Sequence, residues 1–331
     1  MMHDDAFAGL VADWSEQIPY EARPETPAPR RREIPDPAGK LHMFLQDLRT
    51  RALPYGFGAN DGFGLRLAPE DADVARLVTN ALPGRAYPHS QLERAFRDYV
   101  ETALWYLTFG EVFLKLVYYR PADRPDSRPV GFRIEFLDPE RVQRRFGRYH
   151  YWTLKLHPGH DVAEWKRTPL PTEGLVVVSL PRRLRRMMDR AVKIVDATNQ
   201  DLKVMSEFTM GRFAGEPAFD IGRYNRQIAD VVLRETRAVG WGGRGLLTEG
   251  MLDPFKAWRN VQFARFDAKL RDVAVDGLQD AINRAGTLMG FDATLQLSGV
   301  LGEADLDQLE HDLSAGVRPM SELFAPQPSG G

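Results

Sequence analysis

The spacing of apolar positions changes abruptly at Gly110. Before it, Leu92, Phe96, Tyr99, Val100, Ala103 and Leu107 recur at three and four, the spacing of one helical face. After it the period drops to two, with Val112, Leu114, Leu116 and Tyr118 alternating with Phe113, Lys115, Val117 and Tyr119. A helix from about Ser90, ended by Gly110 and followed by a strand over 112–119, is the predicted arrangement. Three more strands are predicted behind it. "VGFRIEFLDPERV" ends in Asp138-Pro139, "RYHYWTLKL" alternates, and "EGLVVVSL" is apolar on both faces and so reads as buried.

Upstream, "LHMFLQDLRTR" (41–51) reads as a short helix, and "PYGFGANDGFGLRL" as a Gly-rich loop. A helix follows the N-terminal signal of Pro69, Glu70 and Asp71. Downstream the helical period dominates. One helix starts after Pro181. A second carries Ile221, Tyr224, Ile228, Val231 and Val232 in phase. A third runs from Asp253 to Met289, with Phe263, Phe266, Leu270, Ala274, Leu278, Ala281, Ile282 and Ala285 on one stripe. That length corresponds to about 55 Å at 1.5 Å per residue. "FDATLQLSG" reads as a late strand and "GEADLDQLEHDL" as an acidic helix. The predicted fold class is α+β, mainly helical.

The chain has 331 residues and a net charge of -2, so bulk charge does not argue for nucleic acid. With no cysteine, thiolate metal sites, disulfides and cysteine nucleophiles are excluded. Residues 1–38, with frequent Pro and the Arg30–Arg32 run, read as an extended arm, and 325–331 as a frayed tail. The first residues place acids where a secretory leader has its basic region, and no apolar run reaches the roughly 20 residues of a membrane span. The sequence therefore predicts no leader and no membrane contact.

Candidate chemistry is sparse. Gly240, Gly242 and Gly245 in "GWGGRG" match G-x-G-x-x-G in letters, but a helix precedes them where a dinucleotide fingerprint needs a strand. The phrase reads as an exposed turn, with Trp241 and Arg244 at its tip as residues that could touch nucleic acid. Arg182, Arg183, Arg185 and Arg186 form the densest basic cluster. They open a helix whose dipole they oppose, so an external anion or an acidic neighbour is expected to balance them. Glu303, Asp305, Asp307, Glu310 and Asp312 supply one acidic candidate, in another subunit. His157, His160, Asp161 and Glu164 read as a hairpin loop rather than a metal site. No Walker A, nucleophile-elbow, H-E-x-x-H or kinase motif occurs, so neither catalysis nor a cofactor is predicted.

The helix running into "YLTFGEVFLKLVYYR", then "GFRIEFLDPERV", "YHYWTLKL" and "EGLVVVSLPRRL", resembles the wing region of tailed-bacteriophage portal proteins. "FKAWRNVQFARFDAKLRDVAVDGLQDAINRAGTLMGFDATLQLSG" resembles the long late helix of that family and its exit strand, and "EADLDQLEHDLSAGVRPMSEL" the phrase after it. The resemblance covers about residues 90–324. It implies a wing-like α+β region over 39–180 and stem-like helices with a reduced clip over 181–252. The long helix, exit strand and acidic helix then occupy 253–324. It also implies a homo-oligomeric ring, commonly of twelve subunits, at a capsid vertex of the virion, assembled in the host cytoplasm. Double-stranded DNA passes through such a ring in packaging and ejection. Major capsid protein, terminase and neck or adaptor proteins are its partners. By position "GWGGRG" resembles the loop lining the tunnel, which makes Trp241, Arg244, Arg182, Arg183, Arg185 and Arg186 DNA-channel candidates. Glu303, Asp305, Asp307, Glu310, Phe263 and Phe266 are then subunit-interface candidates. A head–tail adaptor, another phage-particle scaffold and an enzyme holding a phosphorylated ligand at Gly240–Gly245 are the competing readings.

Overall fold

The computed structural model describes residues 10–14, 39–53, 63–83, 92–156, 163–209, 221–245 and 252–317. The elements are, in order, β1 (Leu10–Ala12), α1 (Gly39–Arg51), β2 (Gly64–Ala68), α2 (Ala72–Ala81), α3 (Leu92–Phe109), β3 (Val112–Pro121), β4 (Gly131–Leu137), β5 (Val142–Arg145), β6 (Arg148–Leu156) and β7 (Ala163–Pro169). Then follow β8 (Leu175–Val178), α4 (Arg182–Thr209), α5 (Ile221–Glu235), α6 (Asp253–Met289), β9 (Thr294–Ser298) and α7 (Glu303–Ser314). The class is α+β. The chain divides into two units, each discontinuous in sequence. The first takes Met1–Pro35, Gly64–Ser179 and Val273–Leu297, and the second Asp36–Phe63, Leu180–Asp272 and Ser298–Gly331. Helix α1 belongs with the later helices, and α6 is shared between the units.

The first unit is built on β3. Its Phe113–Tyr119 stretch pairs antiparallel with β4, in a register that sets Leu116 opposite Ile134 and Leu114 opposite Phe136. Its other edge is split between two short strands, β8 over Val112–Lys115 and β1 over Tyr119–Pro121. Leu10–Ala12 is thus a strand within the segment expected to be an arm. Helix α3 buries Phe96, Tyr99, Val100, Ala103 and Leu107, the residues whose spacing predicted it. Tyr99 stacks on Phe136 with ring centroids 5.5 Å apart and donates its hydroxyl to the Ala274 carbonyl at 2.8 Å. The second half of α6 lies flush on β8, because a Cβ at Gly277 would stand 2.3 Å from Val178 Cγ2.

Two smaller sheets complete this unit. Strands β2 and β9 pair with each other, and β5, β6 and β7 form an antiparallel three-stranded sheet. One face of that sheet packs Val142 and Tyr151 against Phe113, Leu137, Leu170 and Leu175. Strands β2, β5 and β7 were not expected from sequence. "VQRR" is too polar to show alternation, and "GLRLA" sits in a glycine-rich phrase.

Helix α2 is capped as its sequence predicts, with Asp71 accepting from the Asp73 and Val74 amides at 2.8 and 3.1 Å. The pocket-forming second unit is described below. The predicted clip falls mostly on 210–220, outside the described residues, as do His157, His160, Asp161 and the C-terminal tail. Among the described residues no helix is long and apolar enough to cross a membrane.

Candidate functional site

In the second unit α4, α5 and the start of α6 enclose a cleft of about 480 Å³. Arg186, Arg190, Arg234, Arg237 and Trp258 line it, and Glu235 lies among them. Helical spacing assembles it. Arg186 and Arg190 are one turn apart on α4, and Arg234 and Glu235 close the last turn of α5. Glu235 accepts Arg190 Nε at 2.9 Å and Arg234 Nε at 3.3 Å. The hydrogen bond from Arg190 is the main reason the Glu235 carboxyl is held below its ordinary value. The Arg237 guanidinium lies over the Trp258 ring, 5.6 Å from its centroid. Four cations face one carboxylate across an open wall, an arrangement suited to anionic groups such as phosphate.

The wall is held from behind by Arg259, which is 4% exposed. Its guanidinium donates to the Leu233 carbonyl at 3.0 Å, the Thr236 hydroxyl at 3.0 Å and the Trp241 carbonyl at 2.6 Å. Leu233 O belongs to the exposed-carbonyl end of α5, so the negative end of the helix dipole faces this buried cation. Burial, and then the nearby charge of Arg237, lowers the Arg259 pKa to about 10. Gly240, at φ 85°, lets the chain turn directly against α6. A Cβ there would meet Arg259 O at 2.4 Å and Phe263 N at 2.5 Å.

The Gly-rich phrase itself is corrected. Trp241 is not at an exposed tip but 1% exposed, edge-on to Phe44 at 5.2 Å. Its indole N–H donates to Asp47 Oδ2 at 2.9 Å, and Arg244 donates Nε to Asp47 Oδ1 at 2.6 Å and Nη2 to Gln46 Oε1 at 2.8 Å. Burial of a large ring outweighs exposure of a glycine-rich turn, and the loop is pinned to α1. Among the described residues no phosphate cradle forms there, because Gly240 packs against α6.

The other predicted residues are dispersed. Arg182 and Arg183 are exposed at the start of α4, and Arg185 pairs with Asp189 one turn on at 3.3 Å. Only Arg186 of that cluster reaches the cleft. Phe263 and Phe266 are 1% and 2% exposed, so both are buried within their own chain. The acidic helix α7 finds its cations in the same chain. Arg265 bridges Asp307 at 2.6 Å and Glu310 at 2.8 Å, and Lys269 meets Glu303 at 2.9 Å. Asp305 instead accepts the Gly302 amide at 2.8 Å, as a cap.

Sequence reasoning missed Arg190, Arg234, Arg237, Trp258, Arg259 and Asp267. The last two had a signal, since both fall in phase with the apolar stripe of α6. Asp267 is buried, and neither carboxylate oxygen has a hydrogen-bond partner among the described residues. Burial raises its pKa well above 3.8, and Asp47 adds to the rise, while Arg51 and Arg271 oppose it. A carboxyl that stays protonated in the fold lends its full stability below the unfolded pKa. That stability is lost as pH rises from there through the folded pKa. Asp267→Asn is therefore expected to raise stability by about 1–3 kcal/mol at pH 8, with the gain vanishing toward pH 4. Urea unfolding of both proteins across that range checks it.

Among the described residues no group of three or more His, Cys, Asp or Glu is placed to hold a metal ion. Comparison with known proteins gives no match, whether to a family model, a curated protein or a solved structure.

Proposed function

We propose that this chain is a portal-type subunit, copies of which close into a ring that passes double-stranded DNA at a capsid vertex. The observation that carries the reading is the order of elements. A helix enters a strand through Gly110, a short antiparallel sheet follows, and then come two helices, a 37-residue helix, an exit strand and an acidic helix. This is the succession the resemblance implies over residues 90–324.

The arginine cleft gives the reading its chemistry. Guanidinium groups touching phosphates hold DNA without reading its sequence, which suits a conduit along which DNA must slide. Arg186, Arg190, Arg234 and Arg237 take the role in place of Trp241 and Arg244, whose side chains are engaged by Asp47. Capsid protein, terminase and neck proteins are the partners this reading brings with it. The purified full chain is expected to scatter light as a closed ring of several hundred kilodaltons and to show rings in negative stain. A monodisperse monomer or dimer at micromolar concentration would overturn the proposal.

A further inference from the structure

The hairpin between β5 and β6 turns through Phe146 and Gly147, both left-handed, at φ 49° and 77°. With Arg145 opposite Arg148 this is a two-residue turn of the mirror-image type, for which Asn-Gly is the favoured pair. A phenylalanine there is a bulky residue in a region that disfavours it, and it is 90% exposed. Neither local propensity nor packing accounts for it.

The surroundings of Phe146 are cationic. Arg144, Arg145 and Arg148 flank it, and the Arg145 guanidinium lies over its ring, 5.2 Å from the centroid. Arg145 and Arg148 are directly opposed, a like-charge pair that weakens the hairpin. Strand alternation puts both on the face of the sheet turned away from Val142 and Tyr151. On that face the register adds His150 opposite Gln143, and Trp152 opposite Arg167. No Asp or Glu occupies a position on it. Among the described residues no carboxylate pairs with Arg145, Arg148 or Arg167. His150 Nδ1 and Gln143 Oε1 are buried beneath that face, without a hydrogen-bond partner among the described residues.

We infer that this sheet face and its Phe146 tip form a binding surface for single-stranded nucleic acid, independent of the ring reading and of the arginine cleft. Charge complementarity selects a polyanion, and arginine forks suit phosphates. The rings select among polyanions. Unpaired bases stack on Trp, His and Phe side chains set in a cationic sheet, whereas a duplex hides its base faces. An anionic membrane fits less well, since one exposed Phe offers too little apolar area to anchor the chain.

The test is fluorescence anisotropy of the full chain with labelled oligothymidylate. An equal-length duplex and phosphatidylserine vesicles serve as comparators. Arg145→Gln with Arg148→Gln is expected to weaken single-strand binding about tenfold or more and to reduce the slope of log affinity against log salt by about 1.4, at about 0.7 per phosphate contact. The pair relieves a like-charge opposition, so its melting temperature should not fall. Phe146→Asn restores the favoured turn pair and is expected to keep or raise the melting temperature while weakening binding about fivefold or more. Arg76→Gln with Arg124→Gln, two exposed arginines outside the hairpin and the cleft, is expected to leave single-strand binding within twofold. The inference is overturned if the hairpin variants bind as the parent does. Preference for the duplex or the vesicles, or an equal loss in the Arg76–Arg124 variant, overturns it as well.

Discussion

Gly240→Ala is expected to cost about 3–5 kcal/mol in urea unfolding, and Gly240→Val more, with collapse of the cleft wall. Two independent penalties combine. The backbone at 240 sits at φ 85°, where a side chain is strained whatever the space. The added Cβ would also lie 2.4 Å from Arg259 O and 2.5 Å from Phe263 N, both backbone atoms in the interior of α6. A clash with a flexible side chain is relieved by a rotamer change, but this one needs a helix or a turn to move. Moving the turn breaks the Trp241 carbonyl's bond to Arg259. Gly110 provides the control. It ends α3, yet a Cβ there meets nothing within 4 Å. Gly110→Ala is expected to stay within about 0.5 kcal/mol of the parent. Equal effects at the two positions would mean that the close approach of the turn to α6 is not real.

Asp47→Ala is expected to destabilise by about 2–4 kcal/mol, and the interaction terms decide that range. The carboxylate is 5% exposed and accepts from both Trp241 and Arg244. Its removal strands a buried indole N–H, at about 1–3 kcal/mol, and deletes a charge-assisted bond worth about as much. The Arg244 contribution is discounted, because its side chain is 42% exposed and water replaces the lost acceptor. Trp241→Phe removes the donor while leaving Asp47 its arginine, and should cost less. The double variant should be less destabilised than the sum of the two single variants. Additivity across that cycle would show that the indole–carboxylate bond contributes nothing.

Much of the framework was legible in the sequence, and the failures share a cause. The change of period at Gly110 located α3 and β3, and the stripe from Phe263 to Ala285 located α6 to its last residue. Both readings work because apolar burial sets the period. Strand β5 failed because its four residues include two arginines and its pairing partner lies across a turn occupied by Phe146. The candidate site failed for a related reason. Its cations come from two helices and the turn after α5, and Arg190, Arg234 and Arg237 each look like ordinary solvated surface in their own segments. Only the third dimension shows Arg186, Arg190, Arg234 and Arg237 facing one another. The glycines around Trp241 point to an exposed turn, but the size of its ring favours burial. Arg259 and Asp267 were readable as charges in phase with an apolar stripe, a conflict that marks a buried polar group.

Helix α7 carries one deeply buried side chain, Leu306, and meets α6 through polar contacts of Gln262, Arg265 and Lys269. Ion pairs with half-exposed carboxylates add to a single buried leucine at the end of the described chain. Added sulfate weakens such a fastening by screening while strengthening the greasy interior. The two parts of the fold should therefore answer ionic strength in opposite senses. The acidic helix would loosen first, at salt concentrations that leave the rest of the molecule firmer than before.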